Sequence, residues 1–156
     1  MALFSKKNLE NSITKIRNLE FCFDACVDFL VKGDPGDELI TLAESMGYQV
    51  ITVQLHNVNP DLRGTPIIVN VSGTPCASYH VAWADPIFEH PEQKFLVVFY
   101  VEEAEPRAIN ALKSIIEAHD IQGKHADNFF VGVVCRDASK EIQSTINPLL
   151  TKIDWL

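Results

Sequence analysis

The chain has 156 residues, of which 47% are hydrophobic and 22% charged, which predicts one globular domain with a substantial core. Its formal net charge of −8 argues against a broad nucleic-acid surface, because such surfaces need clustered Lys and Arg. No run approaches the roughly 18 apolar residues of a membrane helix, and residues 1–7 lack the apolar stretch of a secretory signal, so we expect a cytoplasmic protein that does not bind membranes.

The first third of the chain alternates helix-like and strand-like segments. Apolar residues spaced three and four apart predict a helix over about residues 8–26, and the short apolar run Val27–Val31 predicts a buried strand. A second helix is predicted over Asp37–Met46, with Gly47 as its stop. Tyr48–Leu55 alternates in the manner of a strand.

The remainder begins with a segment rich in Pro, Gly and Asn, His56–Gln93, for which we expect loops with short strands near Ile67–Val71. Phe95–Val101 and Phe129–Cys135 are continuous apolar runs, the pattern of strands covered on both faces. Between these two runs, a helix is predicted to begin at Pro106.

A last helix is predicted from about Asp137 to Ile146. Strands that alternate with helices imply an α/β fold, a three-layer sandwich with a mainly parallel sheet and helices on both faces. Ligands of such sheets bind at the carboxyl ends of the strands, where we expect Gly33, the residues after Phe99, and Arg136 to gather.

The loop after the first predicted strand has the form of a phosphate-binding loop without its charges. Gly33 and Gly36 enclose Asp34 and Pro35 between a strand and a helix. In that setting a phosphate-binding loop reads G-x-x-x-x-G-K-[ST], with a lysine on the phosphates and a hydroxyl on Mg²⁺. Here the sequence continues Asp37–Ile40 (DELI), with neither group.

Several later segments resemble the core of a MoxR-type AAA+ ATPase. Asp61–Pro66 resembles the family's D-L-R-G-x-P stretch, Val81–Phe88 its W-A-P-P-D-F segment, and Pro106–Ile116 the helix after its Walker B strand. Asn147–Ile153 resembles its A-L-L-N-R-F ending. The resemblance implies a P-loop NTPase fold of the AAA+ base-domain type, as one domain over residues 1–156. The expected domain has an N-terminal helix at about 8–26 and a core at about 27–153, and we expect no C-terminal lid.

The resemblance also locates the family's functional positions, and they are substituted. Phe99-Tyr100 falls where the Walker B strand should end in Asp-Glu, while Glu102-Glu103 offers an alternative, later register. The sensor asparagine falls on Arg136, and the arginine near the end of the core falls on Lys152. The resemblance therefore implies no ATP hydrolysis, no metal and no cofactor.

Protein contacts are the function that this pattern predicts. Leu62, Arg63 and Trp83 lie in segments that form projecting elements or subunit contacts in the resembled family, and with Lys152 they are interaction candidates, unless they pack in the core. We predict a pseudo-ATPase that contacts a related AAA+ subunit or itself. Two alternatives are a nucleotide-binding switch without hydrolysis, which would use Arg136 and the glycine loop, and an acidic nucleic-acid mimic.

The cysteines suggest weaker candidates for chemistry. Cys22 and Cys26 could share a helix face as metal ligands, but their apolar neighbours favour buried thiols. Cys76 with His80 and His90 could form a zinc site, and Cys76–His80 could be a nucleophile pair. No fourth ligand and no local motif supports either. Without an export signal, we expect reduced thiols.

Overall fold

A five-stranded parallel sheet is the centre of the protein. The computed structural model describes residues 6–55, 65–101, 106–121, 123–135 and 149–155. The sheet consists of β1 (Phe29–Gly33), β2 (Gln49–Gln54), β5 (Phe95–Tyr100), β8 (Phe129–Cys135) and β9 (Thr151–Trp155). Their order is β2-β5-β8-β1-β9, and every pairing is parallel.

In the described part of the chain, four helices accompany the sheet, and two apolar cores lie on its two faces. The helices are α1 (Lys6–Ala25), α2 (Glu38–Ser45), α3 (Asp85–Glu89) and α4 (Pro106–Ala118). Phe23 of α1 and Leu39 of α2 belong to one core, whereas Ile87 of α3 and Leu112 of α4 belong to the other. The predicted three-layer α/β sandwich is thereby confirmed.

The two central strands explain why the sheet is stable between its helical layers. Every residue of β8 is buried, and so are the first five residues of β5. Neighbouring residues alternate between the cores, with Val98 facing α1 and α2 and Phe99 facing α3 and α4. Each fully buried side chain of this size contributes about 1.5–3 kcal/mol to folding. The apolar runs in the sequence therefore form the strands that were predicted from them.

The strand order creates a switch point between β1 and β8. From β1 the chain crosses two strands to reach β2, whereas from β8 it crosses β1 in the opposite direction to reach β9. In open α/β sheets, ligands bind in the crevice that such a reversal opens at the carboxyl ends of the strands. The loop that begins at Gly33 lies at this edge.

The segment expected to be mostly loops contains more regular structure than the sequence predicted. Strands β3 (Thr65–Val71) and β4 (Thr74–His80) form an antiparallel hairpin outside the main sheet. Ser72 and Gly73, at its tip, both have positive φ angles of 51° and 83°, as a tight hairpin turn requires. A 3-10 turn, Ala82–Ala84, then leads into α3.

Three further strands were not predicted. One predicted helix cannot be compared with the structure. The edge strand β9 and the short ribbon of β6 (Asp120–Ile121) with β7 (Lys124–His125) are additional. The helix predicted from Asp137 to Ile146 lies outside the described residues. None of the helices in the part of the chain that the structure describes is long and apolar enough to cross a membrane.

Candidate functional site

The glycine loop joins β1 to α2 at the carboxyl edge of the sheet. Gly33 has a φ of 125°, and a Cβ at this position would lie 2.7 Å from the backbone oxygen of Trp155. The close approach of β9 therefore requires glycine here. Gly36 also has a positive φ, 57°, at the end of the loop. Pro35 is buried between them, while Asp34 is exposed.

The carboxylate of Asp34 accepts a hydrogen bond from within the glycine loop. The backbone N–H of Gly36 donates to Oδ1 of Asp34 at 3.0 Å, which forms an Asx turn. The N–H of Glu38 donates to the carbonyl of Pro35 at 3.3 Å. Phosphate-binding loops leave such amides free for phosphate oxygens. Here a phosphate would have to displace a side chain of the same charge.

Two more carboxylates follow on the first turn of α2. Asp37 and Glu38 are both exposed beside the loop. A phosphate at about 5 Å from either carboxylate, at an effective dielectric near 20, meets a repulsion of about 3 kcal/mol per pair of unit charges. Leu39 and Ile40, where a phosphate-binding loop has its lysine and hydroxyl, pack in the core instead. Asp37 and Glu38 therefore add negative charge beside the glycine loop.

The end of β5 carries aromatic side chains that belong to the cores. Phe99 is fully buried and meets Trp83 edge-to-face, with ring centroids 5.4 Å apart. Tyr100 is half-buried and packs on the opposite face of the sheet, against the core of α1 and α2. In register, Tyr100 is level with Val134 of β8, and Val134 with Val31 of β1. Tyr100, Val134 and Val31 therefore lie side by side across the sheet, and on β1 this level is two residues before Gly33.

Two of the four predicted interaction residues, Trp83 and Lys152, lie within the described part of the chain, on different elements. Trp83 is half-buried and packs on the core beneath α3, while Lys152 is exposed on the edge strand β9. Two strands lie between β5 and β9, a distance of about 14 Å between their axes. Leu62, Arg63 and Arg136 lie outside the described residues, as do Glu102-Glu103.

The cysteines differ from their predicted environment at one position. Cys22 is buried, as expected, but Cys26 is exposed because α1 ends at Ala25 and Cys26 turns the chain with a φ of 52°. The two thiols therefore do not share a buried face. Cys76 and His80 are four residues apart along β4, or about 13 Å, too far for a nucleophile pair. Within the described ranges no group of three His, Cys, Asp or Glu residues could hold a metal ion.

A cluster at the amino edge of the sheet was missed by the sequence analysis. Asp28 accepts hydrogen bonds from the Val131 amide at 2.8 Å and from Nε2 of His119 at 3.0 Å. Because β1 begins at Phe29, the Asp28 carboxylate completes the hydrogen bonding of β8 just before β1 starts. The hydrogen bond to Asp28 raises the pKa of His119, and partial burial opposes this rise.

A cavity of about 490 Å³ opens at the same edge. Tyr48, one of its lining residues, donates a hydrogen bond to the carbonyl of Phe23 and lies 3.5 Å from the Cys26 thiol. Burial, and then the neighbouring Cys26, raises the pKa of Tyr48 to about 12. The tyrosine hydroxyl is thus kept neutral, as a structural donor that fixes the end of α1 to the start of β2.

Solved structures share this fold at low sequence identity. A candidate ATPase from Cytophaga hutchinsonii superposes on 94% of this chain with a TM-score of 0.58 and 18% identity. A RuvB point mutant from Thermotoga maritima superposes on 93% of it with a TM-score of 0.51 and 13% identity. This chain spans about half of each, 46% and 45%. The likeness confirms the α/β fold, which this chain shares with both proteins. No protein-family model and no curated protein matches the sequence.

Proposed function

We propose that this chain is a catalytically inactive AAA+-like domain of MoxR type that acts through protein contacts. The observation that carries the proposal is the hydrogen bond from the Gly36 amide to the Asp34 carboxylate, because it fills the anion position of the loop from within. Asp37 and Glu38 add negative charge beside it. Leu39 stands where an ungapped phosphate-binding motif has its lysine, so the described residues of the loop supply no lysine at that position.

The aromatic end of β5 supports the same proposal. Hydrolysis needs a carboxylate for Mg²⁺ and another to activate water, and positioning alone cannot replace them. Phe99 in this position is fully buried against Trp83, and Tyr100 is half-buried on the other face. Burial of these two rings stabilises the domain. A stable fold suits a protein that acts through contacts, whereas hydrolysis would need carboxylates at these two positions.

Exposed apolar side chains support a role in protein contacts. Ile68, on the hairpin outside the main sheet, is 78% exposed, and Phe21 on α1 is 66% exposed. Large exposed apolar groups are typical components of protein interfaces when they adjoin other apolar surface. We propose a related AAA+ subunit or a second copy of the chain as the partner, in the cytoplasm.

Calorimetry tests the inactive loop directly. We expect no binding of ATP, ADP or GTP, with or without Mg²⁺, at a dissociation constant below about 1 mM. Asp34→Ala should free the Gly36 amide, whereas the control Asp34→Asn should keep the turn through its amide oxygen. Micromolar nucleotide binding by the unaltered protein would instead favour a nucleotide switch, and measured ATP hydrolysis would refute the proposal.

A reversion at β5 tests the same idea from the catalytic side. The double variant Phe99→Asp with Tyr100→Glu restores the family's two carboxylates, and we expect a less stable domain without ATPase activity. A gain of hydrolysis would refute the proposal, because it would require a glycine loop that still binds nucleotide. Affinity purification from the native host with mass spectrometry then identifies the partner, and light scattering after size exclusion measures self-association.

A further inference from the structure

An apolar groove lies between α1 and α2, with a lining suited to binding a peptide. Its volume is about 390 Å³, and its apolar lining consists of Ile16 and Leu19 from α1, Leu42 from α2 and Trp155 from the end of β9. Ile16 is 39% exposed, and Leu42 and Trp155 are only partly buried. Apolar surface that is open to solvent and bordered by polar groups is characteristic of a binding site.

The groove follows the axis of α2, and this direction favours a helical partner. The α2 residues that line it run from Glu38 to Ser45, eight residues that span about 10 Å along the helix axis. The Ser45 hydroxyl already donates to the Leu42 carbonyl at 2.6 Å. Small-molecule sites usually present several convergent polar groups that fix a ligand. This groove offers mainly apolar surface along a helix, which is the surface that an amphipathic helix recognises.

The rim of the groove is acidic. Asp37 and Glu38 both line it, both are exposed, and no described Lys or Arg forms an ion pair with either. A lysine, Lys15, also lies beside the groove, with its ammonium 5.7 Å from the centre of the Trp155 ring. The N-terminus of α2 favours these carboxylates locally, but that role leaves their charge free for a partner.

We propose that this groove binds an amphipathic helix of another protein through an apolar stripe flanked by Lys or Arg. Apolar side chains of the helix would contact Leu42 and Trp155, and its cations would pair with Asp37 and Glu38. This inference rests on the proposed function, since it gives the chemistry of the protein partner. The groove begins at Asp37, directly after the glycine loop ends at Gly36. The surface that contacts the partner helix would therefore lie beside the inactive loop.

Two synthetic helices of about 18 residues provide the probe, because shorter isolated helices are marginal in water. They share one leucine stripe and differ only in lysine or glutamate on its flanks. Calorimetry with the full chain should give a micromolar dissociation constant for the lysine peptide and at least tenfold weaker binding for the glutamate peptide. Binding of the lysine peptide should also weaken as salt is added.

Variants on the surface of α2 separate the groove from general charge attraction. Thr41→Arg places a long cation in the groove at an exposed position and should weaken binding of the lysine peptide more than tenfold. Asp37→Asn with Glu38→Gln should weaken it about three- to tenfold, as expected for two exposed ion pairs. The matched control Glu44→Gln removes an exposed carboxylate of α2 that does not line the groove, and it should leave binding unchanged.

Three results would overturn the inference. Equal binding of the two peptides would show that the acidic rim is irrelevant, and no binding below about 1 mM would show that the groove takes no helix. A dimer that Thr41→Arg converts to a monomer in light scattering would assign the groove to a second copy. None of these results depends on the nucleotide measurements, so the inactive loop could be upheld while the groove assignment fails.

Discussion

Removal of the Asp28 carboxylate should destabilise the domain by an amount that depends on the replacement. Asp28→Ala leaves the buried Val131 amide without an acceptor, which costs about 1–3 kcal/mol, and removes a charge-assisted bond to His119 of similar size. Because both side chains are partly exposed, we expect a total of about 2–4 kcal/mol. Asp28→Asn keeps an acceptor for Val131 and should lose only about 1–2 kcal/mol.

The pH dependence of the same interaction identifies its charged component. The pKa of His119 is raised in the folded state by its hydrogen bond to Asp28. Its contribution is therefore complete below the unfolded value of about 6.5 and is lost as pH rises through the folded pKa. His125 and Asp127 also face His119, and their charges respectively lower and raise its pKa.

Urea denaturation at pH 5.5 and 8.5 measures both effects. His119→Gln should lower the free energy of unfolding more at pH 5.5 than at pH 8.5, because the raised pKa of His119 makes its contribution complete at the lower pH. The reasoning is wrong if Asp28→Ala and Asp28→Asn are equally stable, or if the loss in His119→Gln is independent of pH.

Three further predictions concern packing. Gly33→Ala should destabilise the protein by about 2–4 kcal/mol in thermal denaturation, since the new Cβ strains the backbone and meets Trp155; a neutral effect would contradict this close approach. Phe99→Ala should cost about 3–5 kcal/mol, because the ring is fully buried, and a loss below about 1 kcal/mol would exclude a core role. Maleimide should label Cys26 in the native protein but Cys22 only after denaturation, and equal native rates would contradict their different exposure.

Strongly patterned segments were the ones that the sequence could predict. Phe129–Cys135 is apolar throughout because both of its faces are covered, so its pattern alone identifies a strand. β9 has no comparable pattern, since only Ile153 among its five residues is buried. The exposure of Cys26 was wrongly predicted because it depends on where α1 ends, a boundary that periodicity defines only to within a few residues.

The candidate site also has features that the sequence could predict and features that it could not. The glycine loop could be placed at the carboxyl edge from the order of strand, loop and helix alone. The bond of His119 to Asp28 could not be predicted, since it joins residues 91 positions apart through the strand order of the finished sheet. The Asx turn of Asp34 is a local interaction with Gly36, yet only the folded loop shows that the Gly36 amide donates to this carboxylate.

The central place of β1 has a consequence for synthesis on the ribosome. Phe29 pairs with Gly132 on one side and Thr151 on the other, more than 100 residues later in the sequence. A nascent chain of the first hundred residues therefore carries an apolar strand with no neighbour on either edge, and closing so long a loop is slow. Such intermediates aggregate readily, so this protein should depend on chaperones until its C-terminal strands have emerged.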